Sequence, residues 1–537
     1  MTRWRANPWA ILLTLSLGFF MTLLDLTIVN IAIPSMIDKL GASLDQTLWV
    51  LNAYVLVLAV LLITGGRLGD LMGKKTLFIA GVAVFTAASL ACGLAPDPVW
   101  LIGARAVQGL GAALLMPQTM AIIIDTFPPQ RRGAALGVWG AVAGVSTVAG
   151  PTVGGLLVTT LDWRWIFFVN LPIGVLVLAM AVPILPASAR TVRHRFDLAG
   201  VLLASAALFC LTFALTEGEK YEWAGWIWAL IGAAAVLFAV FLAHQRTRQD
   251  REPLVPFTLF RDRNFAVLTF VGATVSVGMI GLFLPMTIYL QSVQGRSALA
   301  AGLIMAPSSV MSMLLAPVAG RLTDRIGGKY ILMGGLVLYA AGTVWLVAVA
   351  DVDTPWPVFL APLALSGVGI GGVFAPMTTE ASRNVPPRLA GAASGVNNTI
   401  RQIGSVLGSA VVGAVMQNRL AAALRDEAVA RSGAVPAQLR ERFVAGFANA
   451  AKGGLEVGVG QTGAHQLPSN VPPSVAHRVQ EVAAQVFGHG FVHALAPTIA
   501  VPVAAVLLGA AACLGVRGYR APARTVDADT TPAPLAG

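Results

Sequence analysis

Long apolar runs recur along the whole chain, each bounded by short stretches of Arg, Lys, Asp, Gly and Pro. A helix needs about 20 mostly apolar residues to cross the hydrocarbon core of a bilayer. Runs of that length predict helices over 9–31, 48–66, 76–95, 99–124, 133–157, 165–185, 198–216, 224–242, 265–290, 299–319, 330–350, 356–379, 391–416 and 495–515, fourteen in all. They group into a six-helix block at 9–185, an additional pair at 198–242, and a second six-helix block at 265–515, followed by a tail at 516–537. Residues 417–494 are too polar to span and interrupt the second block before its last helix. Within them, Leu439, Phe443 and Phe447, and then Val475, Val479, Val482 and Val486, recur at helical spacing. This predicts two amphipathic helices, 437–451 and 474–487, on the outer face. The Gly, Pro and Ser content of 454–473 fits disorder equally well.

Composition and charge sharpen this picture. Hydrophobic types make up 56% of the chain and charged types 11%, against about 25% charged in a soluble domain. The net charge of +11 would suggest nucleic acid in a soluble protein, but here the basic residues follow topology. With the N-terminus inside and the helices alternating, every inside segment is rich in Arg and Lys. The short outside loops hold only Lys39, Arg164, Lys220 and Arg296. Such an asymmetry places both termini in the cytoplasm and 417–494 outside. The first run follows Arg3 and Arg5 as a signal peptide would. It lacks a small-residue cleavage site and continues into Asp25 and Asn30, so a retained helix is expected. Cys92, Cys210 and Cys513 all fall in apolar runs, which gives neither a disulfide framework nor a metal site.

Charges inside the runs carry the candidate chemistry. Asp25, Arg105 and Arg401 lie well inside, while Asp125 and Glu380 lie near inner ends. A carboxylate inside a span costs at least ~2.5–3.5 kcal/mol on insertion scales and defaults to a functional reading. A dry site favours its protonated form, which suits a proton carrier. His194, His244, His465, His477, His489 and His493 are expected in loops or at their edges, which excludes a membrane histidine relay. No Gly-x-x-x-x-Gly-Lys-Ser/Thr loop is present, so ATP is not the driver. Segment 417–494 lacks cysteine and any metal-ligand cluster, which argues against a membrane enzyme or sensor.

The chain also repeats itself. Gly66-Arg67-Leu68-Gly69-Asp70-Leu71-Met72-Gly73-Lys74 recurs as Gly320-Arg321-Leu322-Thr323-Asp324-Arg325-Ile326-Gly327-Gly328, each copy between the second and third helices of its block. Repeated halves with a site between them are a known transporter design. Three other segments are distinctive: Leu24-Asp25-Leu26-Thr27-Ile28-Val29-Asn30 through Pro34, Arg105-Ala106-Val107-Gln108-Gly109-Leu110-Gly111, and the fifth-helix set Gly144, Gly150-Pro151 and Gly154-Gly155. Together with the repeated loop, these motifs resemble the major facilitator superfamily, in particular its fourteen-helix drug:proton antiporters, over nearly the whole chain.

The resemblance implies an all-α fold of two six-helix bundles plus two central helices. It also implies export of amphipathic, cationic drugs or antibiotics across the cytoplasmic membrane, driven by protons with no other cofactor. A dedicated exporter of one antibiotic, a peptide or a lipid is the alternative. Asp25 and Arg105 become the proton-coupling pair. Gly66, Asp70, Gly73, Gly320, Asp324, Arg325 and Gly327 form a latch between the halves, with the aspartates set against a helix N-terminus or a facing Arg. The sequence departs from the family pattern at Leu71, where an Arg is usual. Gly144, Gly150, Pro151, Gly154 and Gly155 make a gating helix with close-packing faces. Asn30, Trp49, Asn52, Tyr54, Gln108, Met116, Gln118, Phe283, Tyr289, Asn398 and Arg401 are candidate cavity residues. Trp163 through Pro172 reads as interfacial anchoring.

Overall fold

The computed structural model describes residues 7–42, 44–186, 197–218, 221, 223–249, 253–386, 389–450 and 473–517, and contains no strand among them. The main helices are α1 (Pro8–Ile28), α2 (Leu44–Met72), α3 (Lys74–Gly93), α4 (Pro98–Thr126), α5 (Pro129–Thr160), α6 (Trp165–Ile184), α7 (Leu198–Glu217), α8 (Gly225–Thr247), α9 (Arg263–Ile288), α10 (Ala298–Ile326), α11 (Lys329–Ala348), α12 (Trp356–Ser382), α13 (Ala390–Arg431), α14 (Ala437–Ala450) and α15 (Pro473–Ala512). Among the described residues, 13 helices are long and apolar enough to cross a membrane. The expected helix 133–157 lies within α5, which at 32 residues is also long enough to cross. The chain is a multi-pass membrane protein.

Several helices start where a side chain supplies the missing acceptor. Asn7, Asp97, Asp197, Asp262 and Ser297 cap α1, α4, α7, α9 and α10, with proline following at Pro8 and Pro98. One apolar core joins α1–α6, through residues such as Leu15, Tyr54, Phe85, Leu115, Trp139 and Val177. A second joins α9–α15, through Leu268, Leu336, Leu363, Met416, Phe447 and Val506. The two halves meet along α5 against α10 and along α2 against α13. The additional pair α7 and α8 docks on the α2–α13 seam, where Val201, Leu208 and Phe241 pack with Ile63, Ala393 and Val396.

The segment 417–494 departs from expectation. Helix α14 matches the predicted 437–451, but 474–487 is no separate helix: it is the start of α15, continuous with the last span. Helix α13 likewise runs on to Arg431 without a break at 416. The extensions pack closely where α15 carries glycine. A Cβ on Gly490 would stand 2.9 Å from a Leu424 methyl and 3.3 Å from the Leu424 backbone nitrogen. The α13 and α15 extensions therefore bury Leu420, Leu424, Val482 and Val486 against each other and α14. Residues 454–472 lie outside the described ones, as do His194 and His465. The other histidines sit in helices rather than loops: His244 in α8, and His477, His489 and His493 in α15. Apolar length set the predicted boundaries, and helices continue past it.

Candidate functional site

Asp25 lies three residues before the end of α1, fully buried, and pairs with the guanidinium of Arg105 from α4. Arg105 is itself buried; it donates to the Val50 carbonyl of α2 (3.0 Å) and to Gln108 Oε1 (2.8 Å), and lies 4.4 Å from the centre of the Tyr54 ring. Gln108 Nε2 donates to Asp25 Oδ1 at 2.8 Å, and Asn170 Nδ2 of α6 donates to the same oxygen at 3.2 Å. Both amides also reach Ser89 Oγ of α3, at 3.3 and 3.1 Å. Five helices thus converge on one carboxylate–guanidinium pair. A buried pair of this kind holds only if geometry and extra hydrogen bonds offset the desolvation of both ions, and the amides and Val50 supply them.

Asn170 corrects the reading of Trp163–Pro172 as interfacial anchoring alone: this residue belongs to the charge centre. Neither it nor Ser89 stands out in sequence, since single neutral polar residues are common in spans.

The repeated motifs lie largely in helix rather than loop, at the C-terminal ends of α2 and α10 and the glycines just past them. Asp70 accepts from the Gly391 and Ala392 backbone N–H groups at the start of α13, at 3.2 and 3.0 Å. Asp324 accepts from Gly133 and Ala134 near the start of α5, at 2.8 and 3.0 Å. Each half therefore places a carboxylate on the positive end of a helix from the other half. The glycines let the backbones meet: a Cβ on Gly66 would lie 2.6 Å from the Gly391 oxygen, and one on Gly320 would lie 2.1 Å from the Gly133 oxygen. Gly73 and Gly327 close their loops at φ of 96° and 87°, a region closed to most side chains. Arg325 corrects the expectation for it: it is exposed and forms no ion pair with a described residue. Nearby, Lys74 pairs with Asp125 at 2.6 Å and Arg383 with Glu380 at 2.9 Å.

The expected gating helix α5 packs tightly on α1 and α10. A Cβ at Gly150 would meet Thr27 Oγ1 at 2.0 Å, and one at Gly137 would meet the Ala316 oxygen at 2.5 Å. Gly154 is buried and Gly155 half-buried. The side chains at Asn30, Gly144 and Pro151 lie outside the described ones.

The cavity residues disperse. Gln108 and Tyr54 join the charge centre, and Tyr54 Oη also reaches the Thr22 carbonyl at 3.4 Å. Trp49 and Asn52 line a peripheral pocket between α2 and α7, with Phe213 and Glu217, and Asn52 donates to Glu217 at 3.3 Å. Glu217 is buried although it stands at the end of its apolar run, where a carboxylate in sequence draws no notice. Tyr289 is buried in a π-helical turn, and its hydroxyl donates to the Asp351 carbonyl at 2.6 Å. Phe283 packs on the second core, Met116 on the first, and Gln118 Nε2 bonds the Gly65 carbonyl at 2.8 Å, joining α2 to α4. Asn398 bonds back to the Ser394 carbonyl of its own helix at 3.0 Å. Arg401 lies over the Phe374 ring, 4.9 Å from its centre.

Comparison with known proteins agrees with this geometry. The chain is 43% identical over 417 residues to an uncharacterised MFS-type transporter of Mycobacterium tuberculosis, covering 78% of this chain and 72% of that one. It is 36% identical over 425 residues to the tetracenomycin C resistance and export protein of Streptomyces glaucescens, covering 79% and 78%. Among solved structures it is similar to the proton:xylose symporter XylE, with a TM-score of 0.54 and 14% identity over 75% of this chain and 87% of that one. The sequence profile described as Major Facilitator Superfamily matches residues 15–409. With two six-helix bundles, interlocking repeated loops and relatives at this identity, the chain belongs to the Major Facilitator Superfamily of membrane transporters.

Proposed function

We propose that this transporter exports amphipathic small molecules from the cytoplasm in exchange for protons. The observation that carries the reading is the buried Asp25–Arg105 pair and its attachment to α2. A proton delivered to Asp25 neutralises the carboxylate and frees Arg105 from it. Arg105 holds α2 at Val50 and Tyr54, and the same 29-residue helix carries Gly66 and Asp70 at its other end. A shift of α2 driven by the pair therefore reaches the latch through one rigid element. That gives two arrangements biased by a single protonation, the physical requirement for coupling. In this arrangement the latch end is closed. The distribution of Arg and Lys supports a cytoplasmic position for that end, with both termini. The name of the tetracenomycin exporter, a relative at 36% identity, supports a small-molecule cargo.

Proteoliposomes with and without an imposed pH gradient test this, using a panel of fluorescent amphiphiles of either charge. The wild-type chain is expected to accumulate at least one of them against its gradient only when the pH gradient is present. Asp25→Asn is expected to abolish that uphill movement. Near wild-type uphill transport by Asp25→Asn would make the pair purely structural and overturn the mechanism.

A further inference from the structure

Arg401 is a half-buried cation of α13 with no counter-ion among the described residues. It forms no hydrogen bond or ion pair with any described residue, and its Nε is buried without a partner. Two contacts place it at the cleft between the halves. Phe374, beneath its guanidinium, faces α5 of the first half: a Cβ on Gly140 would lie 3.6 Å from the Phe374 Cβ. Ser394, seven residues earlier on α13, donates to the Pro117 carbonyl of α4 at 3.1 Å. Seven residues are about two helical turns, so Ser394 and Arg401 share the face turned toward the first half. Gly272 on α9 leaves room for the side chain, since a Cβ there would stand 3.2 Å from the Arg401 Cγ. Beside it, Asn397 Oδ1 is also buried without a partner.

Among the described residues, the first half offers Arg401 no partner. Its buried carboxylate, Asp25, is held by Arg105, Gln108 and Asn170. Asp70 and Asp324 are held at helix N-termini. A solitary cation in a membrane interior is costly and calls for a partner that comes and goes. We propose that Arg401 is the recognition site for the acidic group of the transported molecule, so that the cargo is an amphipathic organic anion. The guanidinium presents a planar fork to a carboxylate, sulfonate or ionised phenol. Phe374, against which it stacks, offers a face to the apolar body. This rests on the exporter reading for the molecule's fate, but not on proton coupling for its binding.

Equilibrium binding separates the two. Pyrenebutyrate, its methyl ester and tetraphenylphosphonium would be titrated against the full-length protein in phosphatidylcholine nanodiscs, with empty nanodiscs subtracted. The acid is expected to bind at least about tenfold tighter than the ester, and tetraphenylphosphonium weakest. Arg401→Gln is expected to erase the preference for the acid while leaving the ester unchanged, and Arg401→Lys to keep part of it. Equal binding of acid and ester by the wild-type chain would overturn the proposal without any variant, so a misfolded Arg401→Gln leaves the test intact. A preference that survives in monodisperse Arg401→Gln would also overturn it. So would loss of acid binding when phosphatidylglycerol is added, because the site would then be a lipid site. Failure of uphill transport alongside acid-selective binding would sink the coupling mechanism and leave this assignment standing.

Discussion

Asp25 was legible because a carboxylate in an apolar run is conspicuous; its surroundings were not. Arg105 and Gln108 announce themselves in the same way, by polarity inside a span. Asn170 and Ser89 do not, since only the convergence of α3 and α6 gives them a role. The pair changes what substitution at Asp25 does. A lone buried carboxylate would be relieved by Asp25→Asn, and insertion would improve. In the structure, Asp25→Asn strands the Arg105 guanidinium, and breaking a buried pair costs about 3–5 kcal/mol. Asp25→Asn and Arg105→Gln are each expected to lower thermal stability in detergent, and the double variant to recover most of the loss. Additive losses in that cycle would show that the two side chains do not depend on each other. The remaining gap in the sequence reading is Arg401: its presence in a span was plain, but its lack of a partner emerges only once every nearby carboxylate is accounted for.

Elements were read well in number and poorly in length. The hydropathy of a run measures how far lipid extends along it, whereas a helix stops where capping and packing stop. Helices α13 and α15 continue past the apolar region because their extensions bury Leu424 and Val486 between them. The two additional helices, α7 and α8, show the opposite case of a boundary set by one side chain. Asp197 caps α7 through the Gly200 N–H at 3.0 Å and also binds His244 (2.9 Å) and Gln245 (2.8 Å) of α8. Burial opposes its charged form, but the hydrogen bonds from His244, Gly200 and Gln245 prevail and hold the carboxyl below its usual value. A depressed carboxyl adds stability that is fully present above the unfolded value of about 3.9 and fades as pH falls below it. The wild-type chain is therefore expected to lose protection of α7 and α8 amides from hydrogen exchange as pH drops below about 4. Asp197→Ala is expected to show the weakened protection already at neutral pH, by about 1 kcal/mol for the lost cap. Protection unchanged in that variant would mean that α7 and α8 are held by their apolar seam alone.

At the scale of the whole molecule the two halves are held by an exchange: each lends an aspartate from the last turn of one helix to the start of a helix of the other. The repeat itself was visible in sequence. The partners at Gly391 and Gly133 were not, because backbone N–H groups leave no trace in residue identity. Asp70→Asn is expected to raise the fraction of molecules open at the latch end while leaving ligand affinity within a few fold. Distances between spin labels across that end would report it, and an unchanged distribution would remove the latch from the mechanism. Orientation has its own check: a cysteine at Ser432 is expected to react with a membrane-impermeant maleimide added outside intact cells, and protection there would invert the topology. The doubling of the latch also has a consequence for the populations of the two states. Two fasteners across one gap add their free energies, so their effects on the open population multiply: if each favours closure about tenfold, or about 1.4 kcal/mol, together they favour it about a hundredfold. Releasing one then moves the molecule only halfway on a logarithmic scale. The resting ratio of the two states can be retuned by a single change at either aspartate, and loss of one fastener leaves the closed state favoured by the other.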